Sequence, residues 1–391
     1  MVAAGIDAIG FYTTNYFLDL KTLAAAREVD VNKFYTGLGQ QKMAVIPPDE
    51  DVVTMAAEAG AEALKSVDPN DITFLMFATE SSIDQSKAAG IFVHKLLNLP
   101  AHCRVIELKQ ACYSATAGIQ LALPLLRENP KAKILLIASD IARYGLGSKG
   151  ESSQGGGAVA MVLSCEPRIL AVEPGSGFVT EDVMDFWRPN YCEEAFVDGK
   201  YSCELYLKLV QKTWEQYTSL SKRTFSDHAR FCFHVPVPKL VEKAHQHLAK
   251  INGLSRLTQD QMAEQVGDAL HYGRLVGNCY SAALYLSFLS LLENSTADMS
   301  DKRVGFYSYG SGCVAEFFSG VVQPGYEKFL HKQAHLQLLE ERRSLTQEEY
   351  EAFYRFHFPR DGSTLELPRH TEGQYRLRAI EQHERIYEAV V

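Results

Sequence analysis

The sequence predicts an α/β protein whose first half carries a mostly parallel sheet with crossover helices. Three observations lead there. The run Ile72 to Ala78 is unbroken in its apolar character and reads as a strand buried on both faces. Strand and helix patterns alternate from 70 to 164, as βαβ units require. The 391 residues exceed the length at which one core usually stops growing. Two units are therefore expected, 1–166 and 167–391, with a new unit starting near Pro167.

In chain order, GIDAIGFY reads as a strand and LDLKTLAAAREV has the apolar spacing of a helix. Asp51 is placed to cap a helix in which Val52, Met55, Ala56, Ala59 and Leu64 recur at helical spacing. The strand Ile72 to Ala78 ends in Thr79, Glu80, Ser81 and Ser82, ahead of a helix pattern over 86–99. A second apolar run, Val105 to Leu108, leads through Cys112 into a helix from Ser114 to Leu126. KILLIASDIARY and AVAMVLSC are two more strands. The segment between them matches GxGxxG at Gly145 to Gly150, but it opens no helix, which argues against a dinucleotide site. Gly155 to Gly157 are expected to allow a close backbone approach or a tight turn before the strand.

In the second half, Lys200 to Leu220 has helical periodicity, with Trp214 and the tyrosines as core or interface residues. Phe231 to Phe233 is a short strand that delivers His234, and Pro236 and Pro238 set a turn before a helix from about Lys239. Two helix patterns follow over 259–293, around a turn containing Asn278. GFYSYGSG and VAEFFSGVV form a hairpin about Gly310, Ser311 and Gly312. From about residue 324 the chain is more charged and reads as a peripheral addition, with a Thr346 to Glu349 capping box opening a helix.

The bulk numbers exclude several classes of function. A formal charge of -9 argues against general affinity for nucleic acid or anionic membrane. The N-terminal stretch lacks the basic and apolar regions of a secretory signal, and no apolar run approaches the roughly 20 residues of a membrane span. Eight cysteines lie without CxxC spacing and read as reduced thiols of a cytoplasmic protein, with no metal site.

Strand ends and changeovers carry the candidate chemistry. Cys112 falls at a helix N-terminus, where the helix dipole is expected to lower a thiol pKa, although a buried core thiol is an equal reading. Glu80 stands at the carboxyl end of a strand, where α/β folds place ligands, or serves as an acid near a helix start. His234 offers acid–base chemistry or a satisfied core imidazole. Asn278 is a pocket residue or a helix cap, and N–H groups of the Gly310–Gly312 turn can meet a developing oxyanion. Thiol, carboxylate, imidazole and oxyanion turn together specify acyl transfer through a thioester.

These segments, in order, resemble the 3-hydroxy-3-methylglutaryl-CoA synthase family, especially its bacterial form. The resemblance rests on ATESSIDQSKA, ELKQACYSATAG, ASDIARYG, FHVPVPK, the Gly277 to Ser281 segment and FYSYGSG, and runs to about residue 390. It implies a thiolase-like fold of two αβα halves in a five-layered αβαβα protomer, usually a homodimer. It implies that acetyl-CoA acylates Cys112 and that the acetyl group then condenses with acetoacetyl-CoA in the mevalonate pathway, without metal or cofactor. Glu80 becomes the acid/base of condensation and His234 the holder of acetoacetyl-CoA. Backbone N–H groups of Cys112 and Ser311 form the oxyanion hole. Tyr144, Asn278 and Ser311 line the acetoacetyl pocket with Ser153 near it, and Lys239 contacts CoA phosphate. The sequence departs from the family pattern at Val237–Pro238 and Ala282–Ala283. A β-branching synthase of polyketide assembly, acting on acyl-carrier proteins, is the nearest alternative. A ketoacyl synthase or thiolase, or a CoA-binding module without catalysis, stands further off.

Overall fold

The apolar runs become strands, and ten of them join in one sheet of the computed structural model, which describes residues 2–390. They are β1 (Gly5–Tyr12), β2 (Ile72–Ala78), β3 (Arg104–Leu108), β4 (Lys133–Ala142), β5 (Gly155–Ser164), β6 (Leu170–Val172), β7 (Gly177–Thr180), β8 (Arg230–Phe233), β9 (Arg303–Gly310) and β10 (Val314–Val322). Across the sheet the order is β8-β9-β10-β6-β1-β5-β4-β2-β3, with β7 also paired to β10. The helices used below are α1 (Val52–Ala63), α2 (Ala89–Leu96), α3 (Ser114–Glu128), α4 (Gly199–Ser221), α5 (Pro238–Ile251), α6 (Ala283–Asn294), α7 (Lys332–Glu341) and α8 (Gln347–Tyr354).

Five layers result. Helices α1 and α2 cover one face of β1, β5, β4 and β2, while α3 packs on the opposite face. Helix α6 lies against β8 and β9 and meets α3 at the centre, where Thr116 Oγ1 is 2.8 Å from both Tyr285 Oη and Ser308 Oγ. Helices α4 and α5 form the outer layer, with α4 on β10 and β7. This is the five-layered arrangement expected of a thiolase-like fold. Strand β2 is buried on both faces: Leu75 and Phe77 join one core cluster and Met76 and Ala78 the other. Alternation along the strand puts successive side chains on opposite faces, so a two-sided core demands an unbroken apolar run.

Asp51 caps α1 as expected. Its carboxylate accepts the N–H groups of Val53 and Thr54 at 2.8 and 3.2 Å, and Thr54 Oγ1 accepts the N–H of Asp51 at 2.9 Å. Such a cap contributes about 1 kcal/mol.

Two expectations are corrected. The sheet is mixed: only the β2–β3, β2–β4 and β8–β9 pairs are parallel. Strand β5 runs antiparallel to β4 because 143–154 joins them without a crossover helix. Gly155–Gly157 accordingly lie in β5 itself, and they serve the close approach: a Cβ on Gly155 would stand 2.5 Å from the Val276 carbonyl oxygen.

The charged tail is not peripheral. His335 of α7 is 1% exposed, bonded to Glu293 at 2.9 Å and to Glu62 at 2.5 Å. Asp49 accepts the N–H groups of His370 and Thr371 at 2.7 and 3.1 Å, and Asp51 accepts from Arg385 and the Tyr387 hydroxyl. Acids of 49–62 thus anchor the tail through His335, Arg385, Tyr387 and backbone N–H groups, and Leu345, Tyr350 and Leu377 are buried with it.

Candidate active site

Adjacent parallel strands bring Glu80 and Cys112 together. Ala78 and Leu108 are register partners at the carboxyl ends of β2 and β3. Each chain then leaves the sheet at the same end, and Cys112 Sγ lies 3.0 Å from Glu80 Oε1. The nucleophile loop is tied by Ser114, whose hydroxyl donates to the Ala111 carbonyl at 2.8 Å and accepts the Gln110 N–H at 2.6 Å. Ala111 has φ +45° and Tyr280 φ +43°, left-handed conformations that cost a non-glycine residue energy and cluster at functional sites. The turn after β9 packs onto this loop. A Cβ on Gly310 would lie 2.5 Å from the Gln110 carbonyl oxygen, so glycine is required for that contact.

Asp140, at the end of β4, organises the far side of Glu80. It is fully buried and accepts the Thr79 hydroxyl at 2.7 Å and the N–H groups of Glu80, Ser81 and Ser281 at 2.9, 3.0 and 3.0 Å. The Ser281 hydroxyl donates to it as well. One carboxylate therefore holds both the Glu80 turn and the Asn278–Ser281 turn.

The electrostatics differ from the helix-dipole expectation. Burial, then the charge and hydrogen bond of Glu80, push the Cys112 thiol well above its ordinary value. Burial together with the neighbouring carboxyl group outweighs the dipole of α3. Burial and the Asp140 charge raise Glu80 to about 8, opposed by the Cys112 bond and the Arg188 charge. Burial drops His234 to about 3, so its imidazole is neutral near pH 7. Its Nδ1 is buried without a hydrogen-bond partner among the described residues.

Tyr144 and Tyr280 form a small buried cluster against Cys112 and Phe186. Burial, then the charges of Cys112 and Glu80, raise the Tyr144 phenol above its ordinary pKa. Asn278 Oδ1 accepts the Tyr280 N–H at 2.9 Å, so it serves the local turn as well as lying beside Tyr144. Ser153 meets this group through its carbonyl, which accepts the Asn278 N–H at 3.2 Å, while its hydroxyl turns to the Gly150 carbonyl. Ser311 shares a cavity of about 490 Å³ with Glu80 and Ala111. Gln110 Nε2 donates to the Ser311 carbonyl at 3.1 Å.

His234 stands at the end of β8. Its N–H donates to the Tyr307 carbonyl at 2.8 Å and its carbonyl accepts the Tyr206 hydroxyl at 2.7 Å. Lys239, in the first turn of α5, pairs with Glu242 at 2.6 Å and does not line the Glu80 cavity.

Four residues of the site escaped sequence reasoning: Gln110, Asp140, Asp185 and Arg188. Asp185 accepts the Gly312 N–H at 2.9 Å and the Tyr309 hydroxyl at 2.5 Å, and so fixes the Ser311 turn. Asp140 had one usable signal, an acid inside an otherwise apolar strand run.

Comparison with known proteins adds to this geometry. Family models described as hydroxymethylglutaryl-coenzyme A synthase N terminal and C terminal match residues 2–167, and 175–252 with 245–388. The chain is 42% identical to hydroxymethylglutaryl-CoA synthase of Enterococcus faecalis over 98% of its own length and 99% of that protein. It is 33% identical to a polyketide biosynthesis 3-hydroxy-3-methylglutaryl-ACP synthase of Bacillus subtilis, covering 91% of this chain and 89% of that one. A crystal structure of HMG-CoA synthase complexed with CoA superposes with a TM-score of 0.94 at 38% identity, over 99% of this chain and 100% of that chain.

Proposed function

The chain belongs to the hydroxymethylglutaryl-CoA synthase family of acyl-transferring condensing enzymes, and we propose that it condenses acetyl-CoA with acetoacetyl-CoA through an acetyl-Cys112 intermediate. The observation that carries this reading is the 3.0 Å contact between a thiol and a carboxyl group held near neutrality, the carboxyl group lining a cavity with Ser311.

The thiol attacks the acetyl carbonyl and CoA leaves as its thiol. Glu80, ionised, takes a proton from the acetyl methyl, and the resulting enolate attacks C3 of acetoacetyl-CoA. The new alkoxide takes a proton back from Glu80. Water then cleaves the thioester, releasing 3-hydroxy-3-methylglutaryl-CoA and the free thiol. A carboxyl group near pKa 8 can both accept and return a proton at physiological pH. His234, neutral, polarises the acetoacetyl carbonyl as a hydrogen-bond donor. The N–H groups of Cys112 and Ser311 take the oxyanion, Tyr144, Asn278 and Ser153 shape the acetoacetyl pocket, and Lys239 meets a CoA phosphate. No metal or cofactor enters any of these steps.

The enzyme acts in the cytoplasm, supplying isoprenoid precursors through the mevalonate pathway. No helix among the described residues is long and apolar enough to cross a membrane. It works as a homodimer. The alternative donor and acceptor are acyl-carrier proteins, as the name of the Bacillus relative indicates for that protein. The test is labelling with radioactive acetyl-CoA followed by peptide mapping, then addition of free acetoacetyl-CoA. Label on Cys112 that is discharged into product supports the reading. An unlabelled thiol, or label discharged only by a carrier-bound acceptor, overturns it.

A further inference from the structure

The hairpin formed by the two-residue strands Phe186–Trp187 and Phe196–Val197 lies over Glu80, and what it contributes there is a cation. Phe186 packs its ring against Tyr144 and Tyr280, with centroids 6.1 and 5.8 Å apart. Two residues on, the Arg188 guanidinium donates from Nη2 to the Glu80 carbonyl oxygen. Glu80 is thus gripped at both of its backbone polar groups: its N–H is held by the Asp140 carboxylate and its C=O by the Arg188 guanidinium. The two grips carry opposite charge.

We propose that Arg188 is a positioning residue for condensation, holding the Glu80 turn against the hairpin and offsetting the negative charge of Asp140 on Glu80. The inference rests on Glu80 being the acid/base of the condensing step.

A neutral tether would hold the peptide equally well, but an arginine here adds a charge that acts on the carboxylate. The other ionisable groups facing Glu80 are Asp140 from β4, Cys112 from the loop before α3, Tyr144 from the loop after β4, and Tyr280. Lys109, Glu181 and Asp182 line the same cavity. Among the groups acting on Glu80, only Arg188 is a cation. Its removal leaves Asp140 unopposed, so Glu80 holds its proton to higher pH and is a poorer base at neutrality. The thiol's attack on acetyl-CoA needs no proton from Glu80 and is affected less.

The test uses full-length Arg188→Gln and Arg188→Lys, with Cys112 acetylation and steady-state condensation measured separately across pH. For Arg188→Gln, kcat of condensation at pH 7 is expected to fall about tenfold or more, with acetylation within about threefold of wild type. The acid limb of the kcat profile should move up by about one pH unit, as loss of a nearby opposite charge dictates. Arg188→Lys, which keeps the charge on a half-buried loop position, should return the limb toward wild type. An Arg188→Gln limb that stays in place, or acetylation that falls in parallel with condensation, overturns the proposal. Glu80→Gln run alongside separates the two ideas. If that variant still condenses, the role of Glu80 itself is wrong, whatever Arg188 does.

Discussion

Asp140 Oδ1 accepts the backbone N–H of Glu80 at 2.9 Å, and its Oδ2 accepts that of Ser281 at 3.0 Å. A single buried carboxylate therefore couples the loop after β2 to the turn that leads into α6, and places a negative charge behind Glu80. Replacing it by an amide of the same shape puts an NH₂ donor among donors. Asp140→Asn is expected to destabilise the fold by about 2–4 kcal/mol in urea unfolding. It should also lower the Glu80 pKa, because the repelling charge is gone. The acid limb of condensation then moves to lower pH, opposite to the direction expected for Arg188→Gln, and a shift to higher pH contradicts the arrangement.

The wild-type pH profile follows from Glu80 itself. Its pKa of about 8, raised first by burial and then by Asp140, means the base form accumulates only as pH rises through that value. Condensation should therefore increase between about pH 7 and 9. The stability sign is the reverse. A carboxyl group raised on folding favours the fold below its unfolded pKa, and that contribution is lost as pH rises through about 8. Glu80→Gln should be inactive in condensation yet lose less stability than wild type between pH 6 and 9, read by thermal melting at each pH. Glu80→Ala should still acetylate Cys112, since the carboxylate raises the thiol pKa and its loss frees the thiolate. A Glu80→Ala enzyme that condenses normally would falsify the assignment.

What could be read from the sequence, and what could not, divides along physical lines. The strand at Ile72–Ala78, the cap at Asp51 and the approach of Glu80 to Cys112 follow from local pattern and from parallel strands ending at one edge. Strand direction is not local, so the antiparallel β4–β5 pair carries no sequence signal. The helix dipole at α3 is local and legible, but the burial of the thiol and the carboxyl group 3.0 Å away, which override it, are not. The tail's charge suggested solvation because its partners, Asp49, Asp51, Glu58 and Glu62, lie some 300 residues earlier. Gln110 and Ser311 meet across 201 residues and carry no pattern that links them.

The His335 clamp makes the tail's attachment pH-dependent. Burial alone would depress this imidazole, but bonds to Glu293 and Glu62 outweigh it and raise the pKa from 6.5 to about 9. The clamp's contribution is complete below pH 6.5 and is lost as pH rises through about 9. His335→Gln should cost about 3 kcal/mol at pH 6, as expected for an unpaired buried charge, and much less at pH 10. Urea unfolding of both proteins at the two pH values checks this. Equal costs at pH 6 and pH 10 mean the imidazole acts only by packing.

The edge of the sheet tests the proposed homodimer. Strand β3 pairs with β2 on one side and, among the described residues, with no strand on the other, which leaves a row of backbone donors and acceptors open. Val105 faces α2, since its Cγ1 lies 3.0 Å from where a Cβ on Gly90 would stand. By alternation Ile106 points to the side of α3, where it is 44% exposed, and Leu121 and Leu125 of α3 are 53% and 42% exposed. An edge strand flanked by exposed aliphatic side chains fits a second copy of the same edge, related by a two-fold axis. Leu121→Asp with Leu125→Asp changes the apolar contact without touching a strand hydrogen bond. That double variant should weaken self-association at least about 100-fold, on the scale of losing central interface anchors. Sedimentation equilibrium across a concentration series reads it directly. A double variant that associates as wild type does would place the interface elsewhere.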